Sequence, residues 1–141
     1  MDERTRKEQC RRFAENIRRD KYELGHIRTA INSAEEASRR YANGVRIHGQ
    51  ELRRLRQAQT IAELGSNFGK DPKLSAIRAL TSQAVPHELI RQVEESLEQS
   101  ERGLKEAEQR LRQLRNKRDE LTDFIAQSHK RRRELRCDDE L

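Results

Sequence analysis

Apolar residues recur at alternating intervals of three and four residues along two long stretches of the chain. The first stretch begins at Cys10 and continues to Ala62, and the second begins at Ile90 and continues to Leu135. These intervals place the residues on one face of an α-helix, and a phase that holds over many heptads is typical of helices that supercoil around each other. The pattern therefore predicts two long helices, over residues 10–64 and 87–136.

The seven-residue pattern stops between residues 65 and 86, where turn-forming residues cluster. Gly65 is well placed to cap the end of the first helix, Asp71-Pro72 is a start signal for a short helix, and Pro86 is a start signal for the second long helix. We expect this connection to form a small helical head. The predicted fold is all-α, a long antiparallel two-helix coiled-coil hairpin with the head at its turn. It makes one elongated domain with an acidic tail at 137–141.

One segment of the first helix could break it. Asn43-Gly44 is a turn signal and Gly49 follows closely, so a break here would give a three-helix chain. However, Tyr41 and Val45 keep the apolar phase across this segment, whereas a loop would usually reset it. We therefore favour a continuous but weakened helix.

Charges beside the apolar seam predict how the two helices align. A register that places Leu55 opposite Leu97 brings opposite charges together, and registers shifted by one heptad bring like charges together. The predicted pairs are Arg56 with Glu94, Glu35 with Arg115, Glu23 with Arg131 and, within the seam, Asp20 with Arg132.

The amino-acid composition agrees with the predicted hairpin and adds little to it. The 141 residues are 40% charged, 32% hydrophobic and 4% aromatic, and compact domains usually carry about 45–50% apolar residues, so no large globular core is expected. The net charge of +6 is a mild excess over a mixed surface. No stretch has the length of a membrane span or of a secretion signal. Cys10 and Cys137 lack metal-binding spacing and are too few for a disulfide framework, which favours a reducing cytoplasm.

No residues are arranged for chemistry. The four histidines are scattered along the chain, and His48 occupies a seam position where a packing role is more common than metal ligation. A two-helix rod also offers no cleft that excludes water. The sequence therefore predicts a protein that is not an enzyme and that has no catalytic residue, no metal ligand and no cofactor.

Two sets of apolar or small residues are candidates for contact with another protein. The first set lies in the head, where exposed apolar groups usually mark an interface, although a closed miniature core is an equal alternative. The second set lies beside the seam of the first helix, where small residues let a partner helix approach. The alternative there is that alanine is simply the best helix former. The sets are Phe68, Leu74, Ile77 and Leu80 in the head, and Ala30, Ala37 and Gly44 beside the seam.

A third candidate is the end of the hairpin that carries both termini. Basic residues from the two helices meet there and could bind phosphates. Acidic neighbours and the lack of interleaved aromatic residues favour the alternative of a solvated helix end. The residues are Arg11, Arg12, Arg18, Arg19, Lys130, Arg131 and Arg133.

These features predict a coiled-coil adaptor or stalk that joins protein partners within a larger assembly, with a second copy of the chain as one such partner. The alternative is a protein that binds nucleic acid through its basic end, which a steep dependence of binding on salt would reveal. Over residues 10–135 the outline resembles the small hairpin stalk proteins of flagellar and type III secretion export, and also the helical arm of seryl-tRNA synthetases. The first resemblance implies a stalk role within an export assembly.

Overall fold

Two long helices pack against each other as a helical hairpin, as the sequence predicts. The structure is a computed structural model that describes residues 1–67, with side chains to residue 64, and residues 86–137. Helix α1 runs over Glu3–Asn67 and helix α2 over His87–Glu134, and the described residues contain no strand. The all-α hairpin is therefore confirmed. The predicted head lies outside the described residues, apart from residues 65–67 and 86.

The ends of α1 differ from the sequence prediction. The helix begins near the N-terminus because Asp2 caps it, accepting hydrogen bonds at Oδ1 from the backbone N–H of Arg4 at 2.6 Å and of Thr5 at 3.4 Å. At the other end the helix continues through Gly65 to Asn67, so the predicted cap at Gly65 is wrong. The helix also passes through Asn43-Gly44 without a break, which confirms the continuous helix.

The chain divides into two compact units. The terminal unit comprises Met1–Glu36 and Ala107–Leu141, and the middle unit comprises Ala37–Glu106. In the terminal unit, apolar side chains from both helices form one buried cluster, and Ile17 is the most buried large side chain. Each buried leucine or isoleucine of such a cluster contributes about 1.5–3 kcal/mol relative to an exposed one. The cluster consists of Leu24, Ile27, Ile31, Ala34, Leu111 and Leu121.

In the middle unit the seam is narrower. Leu52, Ile90 and Val93 form its buried cluster, and Leu55 and Leu97 pack against them while remaining partly exposed. Both helices contribute to this cluster. Because it has three buried members, the pairing of the helices in this unit depends on few fully buried side chains.

The predicted register is wrong by one heptad. Tyr41 lies against Gly103, and Ser100 lies beside Gly44. These contacts place Leu52 opposite Val93 and Leu55 opposite Ile90, rather than Leu55 opposite Leu97, and they agree with the buried cluster of this unit.

The register prediction is wrong because it was based on ion pairs between flanking charges, which form in more than one alignment. Arg56 does pair with Glu94 at 3.1 Å, and Arg115 with Glu35 at 3.3 Å. Helical side chains lean toward the N-terminus of their own helix, so in an antiparallel pair long side chains can reach across a register shift. The pairs form in the observed register, and they therefore do not discriminate between the two alignments.

Another predicted pair is replaced by a different ion pair. Glu23 pairs with Lys117 at 3.3 Å rather than with Arg131. Asp20 and Arg132 are both buried, 7% and 4% exposed, but the carboxylate of Asp20 pairs with Nε of Arg19 at 3.6 Å.

Candidate interaction surfaces

In the middle unit the helices approach closely at two glycines. A Cβ at Gly44 would lie 2.7 Å from Oγ and 3.3 Å from Cβ of Ser100. A Cβ at Gly103 would lie 2.5 Å from Cδ1 and 2.6 Å from Cζ of Tyr41. Both distances are shorter than an ordinary van der Waals contact. Glycine at each position therefore makes room for a side chain of the opposite helix.

This geometry changes the interpretation of the small residues beside the seam. Gly44 was predicted to receive a partner chain, but the space beside it is occupied by Ser100 of the same chain. Ala30 in the terminal unit and Ala37 in the middle unit are half-buried. Gly103, the single glycine of α2, was not recognised from the sequence, and its signal was its position beside the seam.

In the terminal unit the C-terminal end of α2 is capped. Arg136 adopts a left-handed conformation with φ of 52°. The backbone N–H of Cys137 donates to the carbonyl oxygen of Arg132 at 3.0 Å, and that of Arg136 donates to Arg133 at 3.1 Å. These bonds form a Schellman motif, in which glycine rather than arginine usually occupies the left-handed position. The chain reverses here, and Cys137 turns away from the helix axis.

Arg6 completes this cap from α1. Its Nη1 donates to the carbonyl oxygens of Leu135 at 3.2 Å and Arg136 at 3.0 Å. A cation at a helix C-terminus is favourable because the last carbonyl groups carry partial negative charge. Arg6 also binds the carboxylate of Glu3, and this hydrogen bond and charge hold the pKa of Glu3 below its ordinary value.

A disulfide joins the same two segments. Cys10 of α1 and Cys137, just beyond α2, are bonded with their Cα atoms 5.7 Å apart. The sequence-based expectation of reduced cysteines, with Cys10 in the apolar seam, is therefore wrong for this structure. The left-handed Arg136 is the local feature that brings Cys137 back toward α1.

The predicted basic residues are all exposed in the terminal unit, but they do not converge on one site. Arg11 pairs with Glu15 at 4.0 Å and Arg131 with Glu134 at 3.3 Å. Arg12 and Arg131 both line one cavity of about 480 Å³. Within the described part of the chain, no ion pair is found for Arg12, Arg18, Lys130 and Arg133.

A longer groove of about 790 Å³ lies on the terminal unit, between α1 and α2. Phe13 and Phe124 line it, and Phe124 is 47% exposed. Asp20 and Glu23 also line it, together with Lys117. The groove therefore combines two aromatic rings with charges of both signs.

A regular series of arginine doublets along α1 was also not recognised from the sequence. Arginine doublets occur at 11–12, 18–19, 39–40 and 53–54, and their spacings are all multiples of seven. In the helix phase set by the seam, each doublet lies on the outward face, and every arginine in these doublets is exposed. Apolar side chains share this face in the middle unit: Ile47, Ile61 and Leu64 are 45–50% exposed.

Other predicted site residues lie elsewhere. Phe68, Leu74, Ile77 and Leu80 fall outside the described residues. His48 is half-buried in the middle unit, and its Nδ1 lies 3.6 Å from Oε2 of Glu51. Among the residues with described positions, no group of histidine, cysteine and acidic side chains could hold a metal ion. None of the described helices is long and apolar enough to cross a membrane.

The chain matches no protein-family model, no curated protein and no solved structure at a significant level of similarity.

Proposed function

We propose that this chain is a non-enzymatic coiled-coil adaptor or stalk that binds protein partners within a larger assembly. The observation that supports the proposal best is the distribution of large apolar side chains. The seam buries most of them, yet Ile47, Ile61, Leu64 and Phe124 remain 45–50% exposed although apolar residues are scarce in this chain. Exposed apolar groups on a charged surface usually mark contact with another protein.

The groove on the terminal unit is more consistent with binding than with catalysis. The groove of about 790 Å³ is lined by side chains on the flanks of two helices and is open to solvent. Catalytic sites usually exclude water, because low polarity strengthens the electrostatic interactions that stabilise a transition state. An open helical flank suits a third helix better than a small substrate.

The alternative function is binding of nucleic acid through the basic end. The exposed basic side chains of the terminal unit that form no ion pair with described residues favour it: Arg12, Arg18, Lys130 and Arg133. Their acidic neighbours Glu15 and Glu134 weaken the local field. We therefore rank this function second.

Affinity purification of the intact chain from its native cells separates the two functions. The proposed function predicts a stoichiometric protein partner that remains after nuclease treatment. Recovery of nucleic acid alone, lost steeply between about 0.05 and 0.2 M salt, would instead support the alternative. Recovery of neither component at stoichiometric amounts would count against both.

The proposal includes the cytoplasmic location predicted from the sequence, and the disulfide provides a test of it. Cytoplasmic thiols are normally kept reduced, whereas disulfides persist in oxidising compartments. In the cytoplasm the disulfide seen in the structure would be reduced, so under this part of the proposal alkylation of intact cells followed by mass spectrometry should find Cys10 and Cys137 as free thiols. Finding them bonded in the native cell would place the chain in an oxidising compartment.

A further inference from the structure

The outward face of α1 in the middle unit is strongly basic. Between residues 37 and 62, α1 contains six arginines and no lysine, and its acidic residue is Glu51. The helix phase places Glu51 beside the seam, so the outward face carries no acidic side chain over this range. Its arginines are Arg39, Arg40, Arg46, Arg53 and Arg54, all exposed.

Three of these arginines have hydrogen-bonding capacity that the described residues do not use, and a fourth has only a neutral acceptor. Arg40, Arg53 and Arg54 form no ion pair or hydrogen bond with the described residues. Arg46 donates to Oδ1 of Asn43 at 2.7 Å, which is a neutral acceptor. Because a guanidinium group binds carboxylates through two parallel hydrogen bonds, this face is suited to an acidic partner.

The spacing of the face indicates the shape of that partner. Arg46 and Arg53 are seven residues apart, about 10.5 Å along the helix. Ile47 lies midway between Arg40 and Arg54 in the same row and is 45% exposed. On another α-helix lying alongside, residues seven apart face α1 at the same interval of about 10.5 Å. Acidic residues at this spacing would therefore contact successive arginines, and an apolar residue between them would cover Ile47.

We propose that this arginine face is the docking surface for an acidic amphipathic helix of a partner protein. The inference rests on the proposed adaptor function and assigns the partner its chemistry. A nucleic acid duplex fits less well. Its phosphates recur about every 3.4 Å along each strand, out of step with the heptad, and they offer nothing apolar to Ile47 or Ile61. Arginine combined with exposed isoleucine is instead typical of protein interfaces.

Two synthetic helical peptides of identical composition test the proposal. The matched peptide has four heptads with glutamate pairs seven residues apart and leucine beside them. The mismatched peptide has its glutamates five residues apart, which spreads them around the helix. Fluorescence anisotropy with the intact chain at about 0.15 M salt should show at least tenfold tighter binding of the matched peptide. Equal affinity for the two peptides, or no binding of either, would overturn the proposal.

Charge-reversed variants locate the site. The triple variant Arg40→Glu, Arg53→Glu and Arg54→Glu should bind the matched peptide at least about tenfold more weakly, since charge reversal replaces attraction to the glutamates by repulsion at three positions. The neutral triple variant with glutamine at these positions should also bind more weakly. It preserves helix propensity, and circular dichroism should show unchanged helix content.

A matched control has the same change in net charge on α2 of the same unit. Arg91→Glu, Arg102→Glu and Lys105→Glu should leave peptide affinity within about twofold of the original protein, because these residues are not on the arginine face. An equal loss in both variants would indicate general electrostatic attraction and overturn the proposal. Tighter binding of a 20-base-pair DNA duplex, lost in the arginine-face variant, would assign the face to phosphates instead.

Failure of this inference can be distinguished from failure of the proposed function. If the arginine-face variant recovers the same protein partner from native cells as the unaltered chain does, the partner docks elsewhere. The adaptor function then stands and the inference fails. If neither form recovers a protein partner, the function itself fails.

Discussion

The close approach at Gly103 gives the most direct test of the packing in the middle unit. Replacing Gly103 by alanine adds a Cβ that would lie 2.5–2.6 Å from ring atoms of Tyr41. Carbon atoms pack best at about 3.5–4.0 Å, so the ring must retreat by about 1 Å. Gly49 is a matched control, because a Cβ added there meets nothing within 4 Å.

The two substitutions should therefore differ in their effect on stability. Alanine is better than glycine by about 1 kcal/mol within a helix, so Gly49→Ala should stabilise the protein by about 0.5–1 kcal/mol. At Gly103 the same gain is opposed by overpacking, which costs about 1–3 kcal/mol. Because Tyr41 is 42% exposed and can swing outward, we expect Gly103→Ala to be neutral or destabilising by up to about 2 kcal/mol.

Thermal unfolding followed by circular dichroism at 222 nm measures the difference. The expected difference of about 0.5–3 kcal/mol corresponds to Tm values on the order of 2–12 °C apart in a protein of this size. In a Tyr41→Ala background the clash is removed, and Gly103→Ala should then stabilise as much as Gly49→Ala does. If Gly103→Ala raises the Tm of the unaltered chain as much as Gly49→Ala, the observed register is refuted at this point.

Three further predictions concern the register and the end of the hairpin. Replacing Cys10 and Cys137 by serine should destabilise the protein by about 2–4 kcal/mol, because the disulfide closes a loop with a sequence separation of 127. A melting temperature that a reductant leaves unchanged would contradict this. In that background, cysteines at Leu52 and Val93 should crosslink within one chain under mild oxidation, and crosslinks formed only between chains would reject the register. Arg136→Gly should stabilise by about 0.5–1 kcal/mol in urea unfolding because glycine adopts positive φ without steric cost, and a destabilised variant would exclude strain at this cap.

The apolar periodicity by itself was sufficient to predict the two helices and their pairing. Tyr41 and Val45 indicated that the helix continues through Asn43-Gly44, and it does. Periodicity succeeds here because burial of one helical face is the dominant stabilising term and is visible in local sequence. Helix ends were less predictable, since Gly65 carries a cap signal yet lies within the helix.

The register could be decided only by the tertiary structure. Arg56 reaches Glu94 and Arg115 reaches Glu35 although the helices are shifted by one heptad from the predicted alignment. Long exposed side chains tolerate such a shift, and each pair contributes too little energy to select an alignment. The steric fit of Tyr41 against Gly103 discriminates more strongly, because a rigid ring and a helix backbone cannot occupy the same space.

For the candidate surfaces, too, some features could be predicted from the sequence and others depend on the tertiary structure. The seven-residue spacing of the arginine doublets is present in the sequence, but its meaning depends on the helix phase that turns them away from the seam. The disulfide had no local signal, because Cys10 and Cys137 are distant in sequence and meet only where Arg136 reverses the chain. Local patterns specify which face of a helix is buried, whereas contacts between distant residues depend on how the faces fit in three dimensions.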